Sequence, residues 1–105
     1  MMNIGKMMKK AKEMQDNMQG LQEELARIDV TGESGGGMVK VVMSGNRQVK
    51  SIHIEDELWR DQDKALIEDL VAAAINAASQ VAESKAKEEQ QKLMAGLPLP
   101  PGFSL

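Results

Sequence analysis

Apolar side chains recur along the first quarter of the chain at Ile4, Met7, Ala11, Met14, Met18, Leu21, Leu25 and Ile28, spaced alternately three and four residues apart. A period of 3.5 places all of them on one stripe of an α-helix, and Glu, Gln, Lys and Asn fill its other faces. Such a stripe needs a partner helix, whether as a coiled-coil seam or as one face of a globular core. From Asp29 to Ile54 the period falls to two. A short strand at Val30 and Glu33, a flexible link at Gly35-Gly36-Gly37, and two strands over Met38–Met43 and Gln48–Ile54 follow from the β-branched residues. Gly45-Asn46 fits a type II′ hairpin turn in which the glycine supplies the positive φ. Residues 55–62 read as an acidic connector containing Trp59, and Asp61 or Asp63 can cap a second helix. The apolar face of that helix comprises Ile67, Leu70, Ala74, Ile75, Ala77, Ala78 and Val81, with Ala72 and Ala73 adding to the small residues that permit close approach. Glu83 with Lys87 and Glu88 with Lys92 are i, i+4 pairs that extend it as a solvated rod toward Met94, and Gly96 ends it. Three prolines make residues 97–105 an extended or polyproline tail.

The predicted order is α-β-β-β-α, an α+β protomer with a single domain over residues 1–96 and a Pro-rich tail over 97–105. Helices of about 26 and 32 residues span about 39 and 48 Å, whereas a compact domain of this size has a radius of gyration near 13 Å. The two long helices are therefore expected to project beyond a small antiparallel sheet. A stripe this long exceeds what three strands cover, and the sheet has open edges, so a homodimer is expected. Met7, Met14, Met18, Leu21, Leu25 and Ile28 are its expected packing residues.

Composition narrows the chemistry. One Trp, one Phe and nine Met among 105 residues imply an aliphatic, adaptable core. With no Cys, disulfides, thiolate metal sites and a cysteine nucleophile are excluded. A single imidazole, His53, excludes histidine-pair zinc sites and leaves any Ser-His dyad to one residue. The Gly35-Gly36-Gly37 run lacks the Gly-Lys-Ser/Thr of a phosphate loop. No catalytic residue, metal or cofactor is expected. No uninterrupted apolar run approaches 18 residues and no secretory signal is recognisable, which points to a cytoplasmic protein.

The net charge of −3 is unevenly spread. Residues 1–12 carry Lys6, Lys9, Lys10 and Lys12 with no acid, whereas residues 13–84 hold six basic against fourteen acidic side chains. If the long helices run antiparallel, the first cluster lies near Lys85, Lys87 and Lys92, and these seven lysines are the candidate contacts for a polyanion. The near absence of aromatics disfavours stacking on unpaired bases, so duplex DNA is the expected partner. Lys40, Arg47 and Lys50 on the strands form a rival surface beside the acidic Glu55-Asp56-Glu57. A different reading takes the protein as a dimeric helical adaptor that binds another protein through its Met-rich faces and Pro-rich tail. Membrane-surface binding is weaker still, since the apolar stripe would have to serve lipid in place of a core.

Three segments carry a family resemblance: Val30-Thr31-Gly32-Glu33-Ser34-Gly35-Gly36-Gly37-Met38-Val39-Lys40-Val41, then Glu68 to Ala78, then Leu99-Pro100-Pro101-Gly102-Phe103. With the Met/Gln/Lys-rich first helix they resemble the YbaB/EbfC family of bacterial nucleoid-associated proteins over nearly the whole chain. The resemblance implies a small homodimer of α-β-β-β-α protomers with helices arranged like the arms of tweezers. It also implies duplex DNA binding in the nucleoid without catalysis, a small-molecule substrate or a membrane.

Overall fold

Asn3 opens the first helix in the computed structural model, which describes residues 3–95: its side chain accepts from the Lys6 N–H at 3.3 Å. Helix α1 runs over Ile4–Arg27 and ends where Ile28 turns extended. Three strands follow, β1 (Asp29–Ser34), β2 (Val39–Ser44) and β3 (Val49–Ile54), antiparallel in the order β1-β2-β3. A five-residue helix α2 (Asp56–Arg60) lies within the expected acidic connector, and α3 spans Lys64–Ala95. Of the two candidate caps it is Asp63 that accepts from the α3 backbone, at Leu66 N–H. The expected stop at Gly96 and the tail over 97–105 lie outside the described residues.

The core is a one-sided sheet. Val30 from β1 and Val39, Val41 and Met43 from β2 alternate with exposed Thr31 and Lys40, and their buried face meets Ala74, Ala78 and Ala82 of α3. Leu58 of α2 is buried in the same cluster. Contact is closest at Gly32, where an added Cβ would stand 2.2 Å from Ala78 N and 2.3 Å from Ala74 O. The helix backbone therefore rests directly on the strand backbone, which only small residues on both sides allow. By length and composition α3 is also the one helix among the described residues apolar enough to cross a membrane. Its buried alanines are spent on this sheet contact.

Two turns differ from the sequence expectation. Gly45 has no positive φ; the left-handed residue is Arg47 at φ 67°. Arg47 N–H donates to Ser44 O at 2.9 Å, and Ser44 N–H donates to Gln48 O at 2.8 Å, so the hairpin is a type I turn closed by a left-handed residue. Gly45 is instead required for space, since a Cβ there would meet Leu25 O at 2.8 Å. The Gly35–Gly37 link is a defined left-handed turn with φ positive at all three glycines. Ser34 Oγ, just before it, donates to Leu70 O at 2.5 Å and fastens the turn to α3.

The long helices do overhang. The radius of gyration is 19.9 Å and the molecule measures 71 × 24 × 19 Å. The first half of α3 lies on the sheet, and its second half runs antiparallel to the C-terminal half of α1. Asp16, Asn17, Gly20 and Leu21 face Glu89, Lys92 and Leu93 across an open cleft of about 450 Å³. Of the heptad stripe only Leu21 and Leu25 are buried and Ile28 half-buried, whereas Ile4, Met7, Met14 and Met18 are exposed. The reason is length: α3 comes level with Asp16 and Asn17 a few residues before Ala95, so no element of the described protomer lies beside the first turns of α1.

Candidate nucleic-acid interface

The overhanging end of α1 carries Lys6, Lys9, Lys10 and Lys12, all exposed and all without an ion pair among the described residues. They fall within an arc of about 160° of the helix circumference, beside the Ile4, Met7 and Ala11 stripe, and the first acid on α1 is Glu13. Glu13 and Asp16 lie about one turn from Lys9, Lys10 and Lys12 but form no ion pair with them, so among the described residues these ammonium groups face solvent.

The α3 lysines are differently placed. Lys85 pairs with Glu88 and Glu89, Lys87 with Glu83, and Lys92 with Glu88 and Glu89, at 3.4–3.8 Å. Hydrogen bonding to Glu89 and that residue's charge, followed by the same effects of Glu88, raise the Lys92 pKa above the usual lysine value. Their positive charge is largely answered within the helix. Nor do all seven lysines gather at one tip. With Lys92 beside Asp16, a rise of 1.5 Å per residue spreads Lys6 to Lys85 over roughly 26 Å along the bundle. Lys92 lies nearest the α1 cluster, while Lys85 and Lys87 sit back toward the sheet, where Lys87 shares a groove with Gln22 and Leu25.

The rival strand cations are also paired: Lys40 with Glu33 at 3.9 Å, Arg47 with Glu83 at 3.3 Å, and Lys50 with Asp29. His53 lies 3.5 Å from Glu55 on the surface. A further surface went unread in the sequence. Register pairs Ile52 with Val41 and Val49 with Met43, which puts both on the α3 side of the sheet, yet they are 45% and 46% exposed because α3 covers only β1 and β2. Trp59, 64% exposed, lines an apolar hollow with Ile67 just past the same strand. Only the bulge at Val42/Met43 decides which β3 residues share this face, and a bulge has no sequence signal here.

A sequence model of the YbaB/EbfC DNA-binding family matches residues 1–97. The chain belongs to this family. A nucleoid-associated protein of Xylella fastidiosa (strain 9a5c) is 45% identical over 103 residues, covering 98% of this chain and 94% of that protein. The crystal structure of an uncharacterized protein from Helicobacter pylori superposes with a TM-score of 0.77 over 90% of this chain and 99% of that one; at 23% identity the likeness is one of fold. The family membership bears out the resemblance drawn from the sequence, the matched residues taking in the Val30–Val41 and Glu68–Ala78 segments, and the α+β fold is shared with the Helicobacter pylori structure.

Proposed function

We propose that the protein is a homodimeric nucleoid-associated protein of the bacterial cytoplasm that holds duplex DNA through its phosphate backbone with little sequence preference. The carrying observation is that Lys6, Lys9, Lys10 and Lys12 form an unpaired basic cluster on a projecting helix end, in a chain whose middle is acidic. Phosphates are drawn to such a cluster by charge and counterion release. Reading base edges needs side chains fixed in a groove, and exposed lysines on flexible stems supply position without sequence information. Lys92 extends the cluster; Lys85 and Lys87 act in it only after yielding their glutamate partners. The dimer joins through the uncovered strip of β3, with Val49 and Ile52 facing a partner and the free β3 edge available for pairing. No step of chemistry is assigned to the protein.

Titrating the protein against duplex DNA at several salt concentrations tests this reading. Lys9→Ala with Lys10→Ala removes up to four phosphate contacts from a dimer, so the salt slope should fall by up to about 3.6, at about 0.9 per contact. A double variant that folds, dimerises and keeps the wild-type slope would move the site to Lys40, Arg47 and Lys50.

A further inference from the structure

Two apolar surfaces lie at opposite ends of the described protomer. One is the overhang of α1, where Ile4, Met7, Met8 and Met14 are exposed, Ile4 by 72% and Met8 by 68%. The other is the hollow of about 470 Å³ that Trp59 and Ile67 line together with Gln62, Lys64 and Glu68. Strand register fixes their separation. Helix α1 leads away from the sheet at the end where Asp29 pairs with Ser44, whereas Trp59 follows β3 past the end where Val39 pairs with Ser34 and Ile54. About 48 Å of α3 and about 18 Å of α1 overhang, from Asp16 to Ile4, account for most of the 71 Å length. The overhang therefore cannot reach the hollow of its own chain.

Their charges are opposite. Residues 3–12 carry four lysines and no acid, and residues 55–69 carry seven acidic against two basic side chains. Lys64 is paired with Glu68, while Asp56, Glu57, Asp61, Asp63 and Asp69 have no ion pair among the described residues.

We propose that the α1 overhang of one copy docks in the Trp59 hollow of another, a head-to-tail contact separate from the β3 interface. At about 100° per residue, Met7 and Met14 point within about 20° of each other, and Lys10 and Lys12 stand on the two flanks of their stripe. Thioethers make favourable contacts with an aromatic ring, which the exposed Trp59 indole supplies. Tryptophan is also among the side chains that most often anchor an interface. With Met7 and Met14 against the indole, Lys10 and Lys12 come to the acidic rim, whereas the same rim repels a polyanion. Each chain offers one overhang and one hollow, so the contact is heterologous and can repeat from copy to copy. It needs no DNA; where the reading above also holds, docked lysines are withheld from the duplex.

Trp59 is the one tryptophan in a chain without tyrosine, so its emission reports this site. At low salt, raising the protein from low to high micromolar concentration should shift that emission to the blue. Added salt should reverse the shift, since exposed charges are screened. Met7→Ser with Met14→Ser, both on the exposed overhang, should fold and show no shift. A shift of wild-type size in this variant, or none in the wild type, would overturn the proposal. The absence of cysteine permits a second measurement, on an equimolar mixture of Met7→Cys and Lys64→Cys chains under mild oxidation. Disulfides joining the two variants should exceed those within either variant several-fold, read by peptide mass spectrometry. Links in statistical proportion would overturn the proposal, as would a predominance of links between two Met7→Cys chains, which would give the stripe to a second α1.

Discussion

Gly32 is the residue at which the fold is least forgiving. An alanine there must push its Cβ against the α3 backbone at Ala74 and Ala78, and a backbone cannot change rotamer to make room. Gly32→Ala should cost about 3 kcal/mol or more, at or above the upper end of ordinary overpacking, seen as a lower urea midpoint at unchanged slope. Gly20 offers the opposite case in the same molecule: it lies mid-helix on α1 with open space around its Cβ position. Gly20→Ala should stabilise by about 0.5–1 kcal/mol through helix propensity alone. The alanines of α3 announce a close approach in the sequence. Their counterpart does not, because Gly32 is one glycine in a segment with several, and nothing local separates a glycine needed for space from those at 35–37 needed for positive φ.

Among the elements, α1 behaves as two helices of different standing. Its C-terminal half is held by Leu21 and Leu25 against α3 and the β2–β3 turn, while its N-terminal half has only its own hydrogen bonds in the described protomer. Leu21→Asp should cost several kcal/mol, combining a lost apolar contact with a buried unpaired charge. Met7→Asp, on the same stripe, should change stability by about 1 kcal/mol or less, since the site is half exposed. Thermal unfolding of the two variants measures the contrast, and equal losses would mean the stripe is packed along its whole length. The heptad period made the face of α1 legible and said nothing of where its partner stops. Strands and second helix were legible too, from β-branched alternation and from the Ala-rich face. The turns were less so: the hairpin's left-handed position falls on Arg47, a residue with no preference for it, two residues after Gly45, which has one.

For the whole molecule, the contrast of a basic end and an acidic body makes affinity a matter of orientation and ionic strength. Val49→Lys with Ile52→Lys should yield a monomer by light scattering with helix content retained by circular dichroism. A dimer that persists would place the interface elsewhere. The monomer should also show about half the salt slope on duplex DNA, because each protomer carries one lysine cluster. Element lengths in the sequence already demanded an elongated body, and the lysine run marked its basic end; the pairing of Lys85, Lys87 and Lys92 with neighbouring glutamates was legible only as helix-stabilising spacing. The backbone contact at Gly32 also has a mechanical meaning. It grips α3 near Ala78, about 26 Å short of Ala95 at 1.5 Å per residue, so a tilt of about 10° at that pivot swings the far end of the helix by about 4.5 Å. The end of α3 carries α1 with it, so a single methyl group on the strand acts as a shim under a lever. It would reset the angle at which the lysine-bearing end leaves the sheet, without touching a lysine.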